Sequence, residues 1–172
     1  MIFRNVSFRN INNTKSATYD IIFICFEDEG EKMRGKEINK PMLEICCGSF
    51  SDVKTAYENG ADRVELNSAL YMGGLTPTLA NLIYAKKNCN IPVVSMVRPR
   101  GGGFCYSDEE YDTMLMDAKI FLEHGADGIA FGFLTEEKML DEKRTKDMIE
   151  LVHEYGREAV FHRAFDCIDN QD

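Results

Sequence analysis

Ile91–Asp108 reads IPVVSMVRPRGGGFCYSD, and its order of strand, cationic glycine-rich loop and helix start decides the fold. Val93, Val94, Met96 and Val97 form the short apolar run of a buried parallel strand. Two arginines, Arg98 and Arg100, follow around Pro99, and then come Gly101, Gly102 and Gly103. Ser107 is placed to cap a helix, and Glu110 three residues on completes a capping box. In an α/β protein this order puts charge and exposed backbone N–H groups at the carboxyl end of a strand, where ligands bind.

The same alternation extends outward through residues 42–172. Strands are expected at Leu43–Cys47, Arg63–Leu66, Val93–Arg98, Gly128–Phe131 and Ala159–Arg163. Helical patterns fill the intervals at Phe50–Asn59, Thr78–Asn88, Asp108–His124 and Asp141–Tyr155. Ser49 and Pro77 mark helix starts, and Gly60, Gly125 and Gly156 mark stops. An internal echo ties the units together: NGADRVEL at 59–66 matches HGADGIAF at 124–131, two βα units apart. Strands alternating with helices imply a parallel sheet, either open and doubly wound or part of a (β/α)8 TIM barrel.

Strand chemistry favours the barrel. Period-two alternation puts Glu44 with Cys46 on one face, Arg63 with Glu65 and Asn67, Met96 with Arg98 and Arg100, and His162 with Val160. Polar residues on one face of successive parallel strands suit a barrel interior, whereas an open sheet is more often apolar on both faces. Five strands are present where a barrel needs eight. A parallel sheet that stops there exposes an apolar edge, so self-association into a homo-oligomer, or marginal folding, is expected.

Residues 1–41 follow another rule. Two Asn-rich patches flank one candidate strand, Tyr19–Phe26, and a charged run from Glu27 to Lys40 follows. A loosely ordered extension is expected, with a translation start at Met42 as the alternative and an edge cover through Tyr19–Phe26 as a third reading. This segment is near neutral in a chain of 172 residues with net charge −9, so the acid is concentrated after it. That balance argues against a nucleic-acid or anionic-membrane surface. Six cysteines without regular spacing or a CxxC point to reduced thiols and a cytoplasmic chain. The amino terminus lacks a signal-peptide apolar region, and Ile21–Phe26 is too short to span a bilayer.

Several residues carry chemistry. Arg98 and Arg100 can clamp a carboxylate or phosphate beside the glycine N–H groups, or can neutralise Glu44 and Glu65 within the barrel. Glu44, Glu65 and His162 resemble an acid/base set for proton transfer; the structural alternative is a buried ion-pair network. His162 and Asp166 fall at the end of the fifth strand, where imidazole serves as base or metal ligand. Cys46 is the inward thiol suited to a soft metal, with Met96 either a partner or core. Cys47, its neighbour, faces the other way.

The blocks LEICCGS (43–49), NGADRVEL (59–66), GGLTP (73–77), IPVVSMVRPRGGGFCYSDEE (91–110), GADGIAFGFLT (125–135) and FHRAFD (161–166) resemble the CutC family of copper homeostasis proteins. The resemblance implies a (β/α)8 barrel and a Cu(I) ligand. It also implies two departures. The family barrel runs on for roughly another hundred residues past HRAFD, and many relatives carry a copper-linked cysteine where this chain has Asn67. The readings that follow are a cytosolic CutC-like copper protein, a barrel enzyme for a small anionic substrate, or an inactive remnant.

Overall fold

The computed structural model describes residues 6–9, 23–26 and 42–168. Seven strands form one sheet in sequence order: β1 (Val6–Arg9), β2 (Phe23–Phe26), β3 (Met42–Cys47), β4 (Arg63–Leu66), β5 (Val93–Met96), β6 (Gly128–Phe131) and β7 (Glu158–Phe161). From β3 to β7 the strands are parallel. Helices α1 (Phe50–Glu58), α2 (Leu79–Asn88), α3 (Asp108–Glu123) and α4 (Glu142–Glu154) alternate with them. This is the α/β alternation of five parallel strands expected for part of a (β/α)8 barrel.

Each helix starts where its side chains satisfy orphan N–H groups. Ser49, Thr78 and Asp141 accept from Asp52, Asn81 and Arg144 respectively, and Ser107 with Glu110 forms the complete capping box. The repeated GAD device works identically in both copies. Gly60 and Gly125 take φ +84° and +93°, letting the next N–H turn back onto the helix. The aspartate that follows then accepts a backbone N–H from the first part of the preceding strand, Asp62 from Leu43 and Asp127 from Val93, both at 2.8 Å. The echo is a staple between each helix stop and the neighbouring strand.

The main core lies between sheet and helices and includes Cys47, Val64, Leu66, Val93, Met114, Phe131 and Met148. A small second core on the opposite face consists of Val94, Met96 and Ala130, with Val160 against them. Met96 therefore belongs to the packing of the interior.

Residues 1–41 contain paired backbone. β2 runs antiparallel to β3, with Phe23 opposite Ile45 and Phe26 opposite Met42, and β1 pairs antiparallel with β2. Of the expected strand Tyr19–Phe26, Phe23–Phe26 forms β2 and residues 19–22 lie outside the described residues; β1 falls in an Asn-flanked segment that lacked any strand signal. The other residues of 1–41, and so the rest of the expected loose extension, lie outside the described residues.

Two strand ends differ from expectation. β5 ends at Met96, after which only the Val97 N–H to Ala130 carbonyl bond (2.8 Å) continues the ladder before Pro99. β7 ends at Phe161 because His162 turns the chain into a 3₁₀ segment, Arg163–Cys167, and caps it.

Candidate functional site

The interior side chains lie in successive layers along the strands, and the expected acid/base set is divided among them. Nearest the amino ends, Arg63 of β4 donates through Nε to Glu44 of β3 and through Nη1 to Glu158 of β7 at 2.7 Å. One guanidinium thus crosses the concave face and joins strands that are not sheet neighbours. Burial outweighs the attraction of Arg63 and pushes the Glu44 carboxyl up to about 7. Polar groups at this end of a barrel read as stability, not chemistry. Arg63 was the missed partner, although alternation already placed it on the face of Glu65.

One layer higher, Cys46 donates its thiol to Glu65 Oε1 at 3.5 Å. Asn67 Nδ2 donates to the same oxygen at 3.0 Å and to the Glu65 carbonyl at 3.1 Å. Burial holds the Cys46 thiol far above its ordinary range, helped by the charges of Glu65 and Glu44, and burial likewise raises Glu65. Cys47 faces the helices, and burial pushes its thiol up to about 12.

At the carboxyl rim the anticipated clamp of Arg98 with Arg100 is not formed. Arg98 Nη1 donates to the carbonyls of Met72, Gly73 and Gly74, at 3.1–3.3 Å, and Nη2 to that of Gly102 at 2.8 Å. It ties the β4–α2 loop to the glycine loop after β5. Arg100 instead grips Glu110 of the capping box, with Nε 2.5 Å from Oε1 and Nη2 2.9 Å from Oε2, and lies over the Tyr106 ring. Its partner on α3 has both a cap and an arginine to hold. Neither arginine neutralises Glu44 or Glu65 by direct contact. Asp166 is exposed on the 3₁₀ segment.

His162 sits beside Arg98, with Phe104 against both: the ring centroids of Phe104 and His162 are 5.1 Å apart, and the Arg98 guanidinium is 4.8 Å from the Phe104 centroid. Its Nδ1 accepts the Ala164 N–H at 3.2 Å. Burial, and then the Arg98 charge, depress the imidazole to about 3, so it is neutral at physiological pH and a poor base. In this arrangement Nδ1 is engaged by the Ala164 N–H, and Nε2 is the ring nitrogen left without a protein partner.

That depression fixes a pH dependence. The unfolded chain binds a proton at this ring near pH 6.5, whereas the folded one does so only near pH 3. Stability from His162 is therefore lost as pH falls through that window, by about 2 kcal/mol between pH 7 and pH 5. Glu44 runs the other way, since its raised pKa favours the fold at low pH and that contribution fades as pH rises from 4.5 to about 7. Urea unfolding of the parent and of His162→Asn at both pH values separates the two: the stability gap between them shrinks by about 2 kcal/mol at pH 5. A constant gap would show an imidazole that titrates normally.

Parallel strands, intervening helices and a polar interior define an α/β protein of the (β/α)8 barrel type, represented here by its five parallel strands. The CutC family model matches residues 41–172. A family protein CutC from Treponema denticola is 50% identical over 126 residues, covering 73% of this chain and 50% of that protein. The human copper homeostasis protein cutC homolog is 39% identical over 127 residues, covering 74% of this chain and 46% of the human one. The crystal structure of the CutC protein of Streptococcus agalactiae superposes with a TM-score of 0.67 at 32% identity, covering 73% of this chain and 60% of that one. The chain belongs to the CutC family. It spans about half the length of the curated relatives it matches.

Proposed function

We propose that the chain acts in copper homeostasis, taking Cu(I) as cargo at Cys46. Family membership supports the role, and one observation supports the residue. Among the five cysteines of residues 42–168, Cys46 alone lies on the inner face beside a carboxylate; Cys47 and Cys89 belong to the helix-side core, and Cys105 and Cys167 are exposed. Cu(I) prefers thiolate, and a ligating thiol must lose its proton. Glu65, within reach of the Cys46 thiol and itself disposed to hold a proton, is suited to accept it.

The donor set fits copper in part. Among the described residues no group of three or more His, Cys, Asp or Glu side chains converges to hold an ion. Asn67 adds only hard nitrogen and oxygen donors. One thiolate suits an ion that is passed on, whereas a closed cage needs more soft ligands. A cytosolic setting accords with the free thiols of Cys46, Cys47, Cys89, Cys105 and Cys167. No helix among the described residues is long and apolar enough to cross a membrane. Exposed Tyr71, Met72 and Met139 offer apolar surface for the proposed homo-oligomer.

Anaerobic competition for Cu(I) against a chromophoric chelator tests the assignment. The parent is expected to take about one equivalent, Cys46→Ser essentially none, and Arg100→Ala as much as the parent. Undiminished copper in Cys46→Ser would remove Cys46 from the site.

A further inference from the structure

We propose that Asn67, Arg98 and His162 form a binding site for a small carboxylate that carries a neighbouring hydroxyl group. Three buried polar atoms at the carboxyl rim lack a hydrogen-bond partner: Asn67 Oδ1, Arg98 Nε and His162 Nε2. Their residues are 1%, 5% and 8% exposed. Buried polar atoms are nearly always satisfied, and a group of orphans on one face marks a place that a ligand completes. Of the other buried orphans, the hydroxyls of Ser95 and Thr145 belong to the helix side of β5 and to α4, whereas the Tyr106 hydroxyl lies within reach of the Arg98 guanidinium and adds a neutral, rotatable group to the same site. Ser95 alternates with inward Val94 and Met96.

The backbone brings Arg98 and His162 together, and the Gly74 turn links Asn67 to Arg98. Pairing of Met96 with Ala130, and of Ala130 with Val160, carries on through the Val97-to-Ala130 and His162-to-Phe131 hydrogen bonds, both 2.8 Å. Arg98 and His162 thereby flank Gly132, two residues above that level. A Cβ on Gly132 would stand 2.6 Å from His162 Cε1, so the imidazole lies directly over this strand. Asn67 Oδ1 abuts Gly74, whose carbonyl receives Arg98 Nη1. Phe104 forms a common wall against Arg98 and His162.

Each atom has a defined chemical sense. Because Nδ1 of the neutral His162 ring accepts from Ala164, its proton resides on Nε2, which is a donor. Arg98 Nε is a donor on a cation whose other nitrogens face carbonyls, and no ion pair offsets it among the described residues. Asn67 spends its amide nitrogen on Glu65, which leaves its oxygen as an acceptor. Two donors, one of them charged, call for an anionic oxygen, and the acceptor calls for a hydroxyl on the same small molecule. A metal cation meets the wrong polarity at both donors. The site goes beyond the copper reading and uses none of its ligands.

Glycolate is the probe, with the full chain, acetate and inorganic phosphate compared by calorimetry. Glycolate is expected to bind at least tenfold more tightly than acetate and phosphate, with no inflection between pH 5 and 8 in the protein's contribution. His162→Asn places an amide oxygen where Nδ1 accepts from Ala164 but lacks the outer donor, so it should stay folded and lose at least tenfold in affinity. His162→Gln, whose amide nitrogen reaches the Nε2 position, should recover part of the loss. Histidine-selective ¹⁵N spectra should show the Nε2 proton signal shifting on addition of glycolate. Equal binding by the parent and His162→Asn, preference for phosphate, or tightening as pH drops through 6.5 would each overturn the proposal. The titration is repeated with the Cu(I) chelator in excess. Unchanged glycolate binding then stands whatever becomes of copper at Cys46.

Discussion

Arg98→Met is expected to lower the unfolding free energy by about 3–5 kcal/mol, the largest effect of any single rim substitution. Four backbone carbonyls on two loops converge on this guanidinium. A hydrogen bond to a charged group contributes about 1.5–3 kcal/mol, and the stranded partners regain water only in part. The loop from Ser68 to Leu75 is closed at its base by two 2.8 Å backbone bonds, so the loss falls on its tip, Leu70–Gly74, and on Gly101–Gly103. Limited proteolysis should open both loops together. Arg98→Lys should restore little, since a single ammonium cannot span carbonyls lying on two sides of a planar fork. A change below about 1 kcal/mol in urea unfolding would mean that the loops hold their shape without the arginine.

Gly132→Ala is expected to cost about 3 kcal/mol, at the upper end for overpacking by one methyl. The added Cβ would meet Ala164 Cβ and His162 Cε1 at 2.6 Å each, and His162 Nδ1 at 2.7 Å. Neither neighbour yields easily: Ala164 has no rotamer, and His162 is held by the Ala164 N–H it caps. Its imidazole should be driven off the strand, so glycolate affinity should fall with stability. Gly103→Ala is the control, because nothing lies within 4 Å of a Cβ there and its φ is not positive. If both alanines unfold at the same urea concentration as the parent, the close approach at Gly132 is not a constraint.

Much of the frame was legible because it is written in short-range rules. Ser107 and Glu110, three residues apart, specify a capping box on their own. The alternation Arg63, Glu65, Asn67 fixes which face each residue joins once β4 is a strand. The rim was harder for physical reasons. Period-two alternation loses force where β5 and β7 end, so it could not aim Arg98 at carbonyls more than twenty residues away or turn Arg100 toward Glu110. His162 was read as a strand residue because its capping role depends on a turn formed by the residues after it. The pairing of Arg63 with Glu158 depends on sheet curvature, which joins positions 95 apart in sequence.

The arrangement at β3 has a topological consequence. In a closed (β/α)8 barrel the first parallel strand and the last are neighbours, and every strand runs the same way. Here the side of β3 away from β4 is occupied by β2, which runs in the opposite direction. A parallel newcomer cannot share those backbone groups. A barrel closing on β3 would need the Met42–Ile45 edge that β2 holds here.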